Sequence, residues 1–216
     1  MTASEPLGLS PINFFHVSGT CRYVEKKLPL IGTAACKKYL LGDTSALTDE
    51  EAFAKVALGW NEEGIAIQAV IDQPPIRSLF PEVVRGDSLE VFIDTRDVKA
   101  SGFNTRFCHH FFALAEPVGG KQAGEITRFR TDEDRHPLCN PNDLKISCDI
   151  GSKSYTLHLF IPAHCLMGYD PEQFQRIGFS YRINRPDSPS QHFTAITQEY
   201  RIEEQPSLWS SLQLSR

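Results

Sequence analysis

The feature that most constrains this chain is a two-residue alternation of apolar side chains, repeated in run after run. Val56, Leu58 and Trp60 alternate with Lys55, Ala57 and Gly59. After Asn61-Glu62-Glu63-Gly64, the series Ile65, Ile67, Ala69, Ile71 alternates with Ala66, Gln68, Val70 and Asp72. A period of two puts successive side chains on opposite faces of a pleated strand, and a short polar turn ending in Gly joins two such runs into a hairpin. Leu89, Val91 and Ile93 mark a third strand after Gly86-Asp87. Phe107–Leu114 is apolar on both faces, the pattern of a central strand covered on both sides, and Gly119-Gly120 breaks it. Leu144–Ile150 and Tyr155–Ile161 form a second hairpin across Gly151–Ser154, closed by Pro162, which cannot donate to a ladder. Ile177–Ile183 alternates again. Gln191–Thr197 and Leu208–Leu214 are further strands, Glu125–Arg130 a short polar strand, and Cys21–Val24 an edge strand.

Short strands about ten residues apart, with turns between them, predict an all-β fold. The expected architecture is a two-sheet antiparallel β-sandwich of jelly-roll or immunoglobulin-like type, with at most short helices. Thr48-Asp49-Glu50-Glu51 reads as a capping box and starts at most one of these. Neither an internal repeat nor a linker divides the chain, so residues 1–216 form a single domain, with segment 1–45 of ambiguous structure.

Composition narrows the function. The net charge of −5 opposes nucleic-acid binding, which relies on Lys and Arg neutralising phosphates. Lys26, Lys27, Lys37 and Lys38 read as a solvated face. No stretch approaches the roughly 18–20 apolar residues of a membrane span. Residues 1–8 lack the basic and apolar regions of a signal peptide, so the expected location is the cytoplasm, with signal-independent export left open. The six cysteines, Cys21, Cys36, Cys108, Cys139, Cys148 and Cys165, are then expected as free thiols. No Cys-x-x-Cys pair offers a zinc ribbon. Without a Gly-x-Ser-x-Gly elbow or a phosphate loop of the usual spacing, the chain is expected to bind rather than catalyse.

Three stretches carry a resemblance: Ala54–Trp60 with Gly64–Ile71; Gly86-Asp-Ser-Leu-Glu-Val-Phe-Ile-Asp-Thr-Arg96; and Ile161–Leu166 continuing through Asp170-Pro171 to Ile177–Asn184. Together they resemble the family 9 carbohydrate-binding-module-like sandwich, related to DOMON domains, over residues 50–215. Arg106–Phe111 and Pro206–Leu212 are most similar to an uncharacterised bacterial branch of that fold. The resemblance implies a β-sandwich that binds a glycan or another small polar ligand. The alternative is a protein–protein interaction or structural domain. Sugar-binding members hold a sugar between two exposed tryptophans, whereas Trp60 and Trp209 here match framework positions. Phe80, Phe103 and Tyr169, in loops, are the aromatic substitutes.

The candidate ligand-binding residues are Asp94, Arg96, Arg106, His109, Arg182 and Asn184. Arg182 and Asn184 face away from Tyr181 and Ile183, and a guanidinium fork suits a sugar or carboxylate. Asp87, Glu90, Asp94 and Asp97 are hard oxygen donors that suit calcium, and the resemblance adds weight to that ion. The competing reading is a charged strand face paired with Arg85, Arg96 or Arg106. His109 and His110 point to opposite faces, and either could join His158 or Asp94 as a metal or acid–base group.

Overall fold

The computed structural model describes residues 17–45, 50–99, 102–194 and 201–216. Among them are β1 (Ser18–Tyr23), β2 (Ala54–Asn61), β3 (Gly64–Ile71), β4 (Ser88–Asp94), β5 (Cys108–Val118) and β6 (Lys121–Glu125). They continue with β7 (Lys145–Ile150), β8 (Tyr155–Pro162), β9 (Arg176–Arg185), β10 (Ser188–His192) and β11 (Ser210–Ser215). Hydrogen bonds link them in the order β6-β5-β4-β9-β11-β1-β2-β3-β8-β7; off this path, β10 pairs with residues 182–185 of β9, beyond the stretch that β11 covers. The ladder folds over, so that β5 packs against β7 and β8. The outcome is a β-sandwich with β6-β5-β4-β9 facing β2-β3-β8-β7.

The alternation sets the core. Val56, Leu58 and Trp60, Ile65 and Ile67, Leu89, Val91 and Ile93, Leu157 and Leu159, and Phe179, Tyr181 and Ile183 form one buried cluster drawn from both layers. The β2–β3 register runs from Ala54↔Ile71 to Asn61↔Gly64. Gly64 sits at φ 147°, and a Cβ there would collide with the Ile161 carbonyl. Among the described residues the helical structure is mostly 3-10 turns, such as Ala34–Tyr39 and Ala163–Cys165. No helix among the described residues is long and apolar enough to cross a membrane. Thr48 and Asp49 of the capping box, and residues 195–197 of the Gln191–Thr197 run, lie outside the described residues.

Three expectations are corrected. First, β1 is internal rather than an edge strand, lying parallel to both β11 and β2. Its exposed Ser18, Gly19 and Thr20 imitate an edge; only Cys21 is fully buried. Second, the polar strand is Lys121–Glu125, not Glu125–Arg130. Gly119 and Gly120, at φ 58° and 78°, close the hairpin so tightly that the return strand starts at Lys121.

Third, two of the six cysteines are not free: Cys139 and Cys165 form a disulfide, with Cα atoms 5.0 Å apart. Their chain separation of 26 carries no spacing signal, because only the fold brings the two loops together. Cys21, Cys36 and Cys108 are buried free thiols, and Cys148 is half-buried. Closing a 26-residue loop stabilises by about 3.5 kcal/mol on chain-entropy arguments. The double variant Cys139→Ser/Cys165→Ser is expected to lose about that much in urea unfolding. Alkylation of the unfolded, unreduced wild-type chain should count four thiols; a count of six would show that the bridge does not form.

Candidate functional site

The register of β4 with β9 and β5 builds the polar face that the alternation points to. Glu90 pairs with Arg182 across one edge of β4 and with Phe112 across the other. Arg182 grips the Glu90 carboxylate as a fork, Nε donating to Oε2 at 2.6 Å and Nη2 to Oε1 at 3.0 Å. Asn184 Nδ2 donates to Oε2 at 2.8 Å, and His110 Nε2 lies 2.9 Å from Oε1. Burial alone would raise the Glu90 carboxyl; the hydrogen bonds and charges of His110 and Arg182 outweigh it and hold the group well below the usual carboxylate range. Arg182 also reaches Glu203 at 3.4 Å. The face is closed: Glu90 and Asn184 are wholly buried, and Ile202 and Trp209 pack with Phe92 on the same side. The donors of Arg182 and Asn184 are therefore spent inside the protein.

The other candidate residues do not join this group. Asp87 precedes β4 and Asp94 ends it, about 23 Å away at roughly 3.3 Å per residue. Asp87 accepts from the backbone amides of Ile76 and Arg77 and pairs with Arg185. Asp94 accepts from the amides of Arg96 and Val98. Asp97 accepts from Ser211 and pairs with Lys99 and Arg176. These four carboxylates do not converge and each has its own partners, so they do not fit one calcium ion. Their cations are also not the expected ones. Arg85 pairs with Glu82, Arg96 stacks between the rings of Phe107 and Phe174, and exposed Arg106 donates to the Glu133 carbonyl. Of the loop aromatics, Phe80 packs on Phe112, Phe103 lies under Arg130, and Tyr169 donates to the Asn61 carbonyl. Trp60 and Trp209 are 4% and 1% exposed, so neither offers a sugar a platform.

His109 and His110 do point to opposite faces, but their partners are Glu125 and Glu90 rather than His158 or Asp94. His109 Nδ1 lies 2.8 Å from Glu125 Oε1, and His136 Nε2 lies 3.4 Å from the same oxygen. Thr127 Oγ1 also donates to Oε1, and the Cys139 amide donates to Oε2. Burial keeps the His109 ring below its usual pKa, against the pull of Glu125. Neither Glu125 nor His136 was singled out by sequence.

A third arrangement, also missed, is a cleft of about 330 Å³ on the outer face of β3, β8 and β7. Its floor is made of the side chains that alternate with the core: Ala66 and Gln68 on β3, His158 and Phe160 on β8, Lys145 and Ser147 on β7. The Lys26-Lys27-Leu28 segment forms a wall. The floor is held by a relay. The Ile31 amide donates to Gln68 Oε1, Gln68 Nε2 lies 3.2 Å from His158 Nδ1, and His158 Nε2 lies 3.2 Å from Asp149. That order makes Nδ1 the acceptor and Nε2 the donor of His158. Phe160 is half-buried, with Lys145 Nζ 5.2 Å from its ring centre. The available signal was an aromatic residue on the polar side of an alternating strand.

No protein-family profile matches the sequence, and no curated protein matches it. Solved structures do. A carbohydrate-binding module of family 9 from Caldicellulosiruptor kristjanssonii, in complex with glucose, superposes with a TM-score of 0.63 at 14% identity, covering 93% of this chain and 97% of that one. The fold is that of the family 9 carbohydrate-binding modules. The same kind of module in complex with cellotriose gives 0.62 at 13% identity, covering 92% and 94%. A candidate carbohydrate-binding protein from Bacteroides uniformis gives 0.55 at 9%, covering 93% and 100%. At such identities the likeness is one of fold. What this family 9-like sandwich holds has to be argued from its own side chains.

Proposed function

We propose that this chain is a non-catalytic binding module for a glycan, and that its site is the cleft over β3, β8 and β7. The observation that carries the reading is the floor of that cleft, where a half-exposed aromatic ring lies beside a fixed amide–imidazole pair. A sugar ring presents an apolar face to Phe160 while its hydroxyls meet exposed Ser147 and the partly exposed edge of His158, which buried Gln68 holds in place. The similar solved structures, in complex with glucose and cellotriose, support a glycan as the class of ligand. Lys26, Lys27 and Lys145 outnumber Glu63 around the cleft, in a chain with net charge −5. That local positive field favours glycans bearing carboxylates over neutral ones.

Calorimetric titration with a neutral oligosaccharide and an oligouronide tests this. Binding of the oligouronide is expected to be the stronger and to weaken with salt. Phe160→Ala is expected to weaken binding by roughly 10- to 30-fold, since losing one face of a buried ring costs about 1.5–2 kcal/mol. Lys145→Ala should act selectively on the charged glycan. Absence of binding to both sugars, or binding indifferent to Phe160→Ala, removes the proposal.

A further inference from the structure

We propose that His109, Glu125 and His136 form a binding site for a divalent transition-metal ion of the zinc class. All three are buried, and one donor atom from each lies within 4.8 Å of the others. Two imidazoles and one carboxylate select zinc, cobalt, nickel or copper over calcium and magnesium, which prefer oxygen throughout.

The hydrogen bonding calls for a cation. His136 Nδ1 lies 2.9 Å from the Pro137 carbonyl, while Nε2 faces the Cys108 carbonyl at 3.2 Å and Glu125 Oε1 at 3.4 Å. Every one of these neighbours is an acceptor. A neutral imidazole carries one N–H, so one nitrogen lone pair is left pointing at oxygen. The shorter contact assigns the proton to Nδ1, which frees Nε2. His109 repeats the pattern. Its Nδ1 meets Glu125, and its Nε2 is sealed from water without a well-formed hydrogen bond. The Met167 backbone acts on that ring as a further acceptor. One ion at the point where His109 Nδ1, His136 Nε2 and Glu125 Oε1 converge removes both mismatches. Each ring then keeps its remaining N–H for a backbone carbonyl, the arrangement that orients metal-bound histidines.

Distances agree. Bonds of 2.0–2.1 Å in a tetrahedral site place donors roughly 3.3 Å apart. The His136–Glu125 separation of 3.4 Å already has that value, and the 2.8 Å His109–Glu125 contact has to open by about half an ångström. The proton now between His109 and Glu125 leaves to solvent as the ion enters. His136, alone of the three ligands, lines two clefts of about 380 and 530 Å³. The site is independent of the glycan reading, since none of its ligands lines the β3–β8–β7 cleft.

The test is to strip the full chain with a chelator, add Co²⁺ or Zn²⁺, and desalt. One ion retained per chain and a visible d–d band with Co²⁺ are expected. Glu125→Gln and His136→Ala should each weaken retention by roughly 100-fold or more, at least the loss seen when a supporting hydrogen bond is removed from such sites. His164→Ala, at the exposed Asp143–His164 pair, should leave it unchanged. No retained ion in the wild type, tight binding that survives both ligand substitutions, or loss with His164→Ala overturns the proposal. Should neither ligand variant fold, Co²⁺-shifted proton signals of the wild type decide. Two shifted imidazoles sustain the site; one or none sinks it.

Discussion

Arg182→Met is expected to lower stability by about 3–5 kcal/mol at neutral pH, because it strips a buried carboxylate of its fork while leaving the charge in place. Glu90 is wholly buried and Arg182 is 7% exposed, so solvent screens the pair weakly. The exposed Arg85–Glu82 pair, with side chains 71% and 63% accessible, is the control; Arg85→Met should produce no measurable change.

The pH dependence follows from the direction of the Glu90 shift. Its folded pKa lies below its unfolded value, so its contribution is fully present above the unfolded carboxylate pKa of about 4.3. It is lost as pH falls toward the folded pKa. In Arg182→Met the fork is gone and only His110 and Asn184 still hold the carboxylate, so burial pushes the Glu90 carboxyl up from where the wild type keeps it. The variant can then take a proton at mildly acidic pH and relieve its buried charge. The difference between wild type and variant should therefore shrink as pH drops below about 4.3. Urea unfolding of both proteins at pH 7 and pH 3.5 measures it. A difference below about 1 kcal/mol at pH 7, or one that is unchanged at pH 3.5, would show that the fork does not carry this energy.

How much of this network was legible depends on which interaction sets it. The alternation in β4 and β9 places Glu90, Arg182 and Asn184 on the faces opposite Val91 and Ile183, because a period of two is local. Closure of that face by Ile202 and Trp209 is not local; it depends on a segment far along the chain folding back over Phe92. The same divide separates the two histidines. Their opposite directions follow from adjacency on a strand. The Glu125 partner of His109 does not, because the β5–β6 hairpin carries an irregularity. Between Val118↔Lys121 and Ala113↔Ala123, five steps on β5 meet two on β6. Counting residues back from the Gly119-Gly120 turn therefore misplaces Glu125, which in fact pairs with Phe111. His136 comes from a loop, where no period exists to read.

The β3–β8–β7 cleft was hidden for a different reason. Each hairpin was legible, as were the outward positions of Gln68, His158 and Phe160. Polar outward residues are the ordinary composition of a solvated strand face, however. They become the floor of a cleft only because the Lys26–Leu28 segment, in a stretch without periodicity, rises beside them as a wall.

Trp209→Ala is expected to cost about 3–5 kcal/mol, a large part of the stability of a single domain. Trp209 is 1% exposed, packs on Phe92 with ring centres 5.8 Å apart, and donates Nε1–H to the Ile202 carbonyl at 2.8 Å. Truncation loses a large apolar contact, opens a cavity beside Phe92 and leaves the Ile202 carbonyl without its donor. Trp209→Phe should cost less, since it keeps most of the volume and sacrifices mainly the hydrogen bond. Fluorescence supplies the functional half of the test. With Trp60 also buried, emission should be blue-shifted, resist acrylamide quenching, and stay unchanged when a glycan binds. A glycan-dependent quench would place a tryptophan at the ligand and move the site away from Phe160. A stable Trp209→Ala protein would mean that the segment closing over Glu90 and Arg182 is held by something other than this ring.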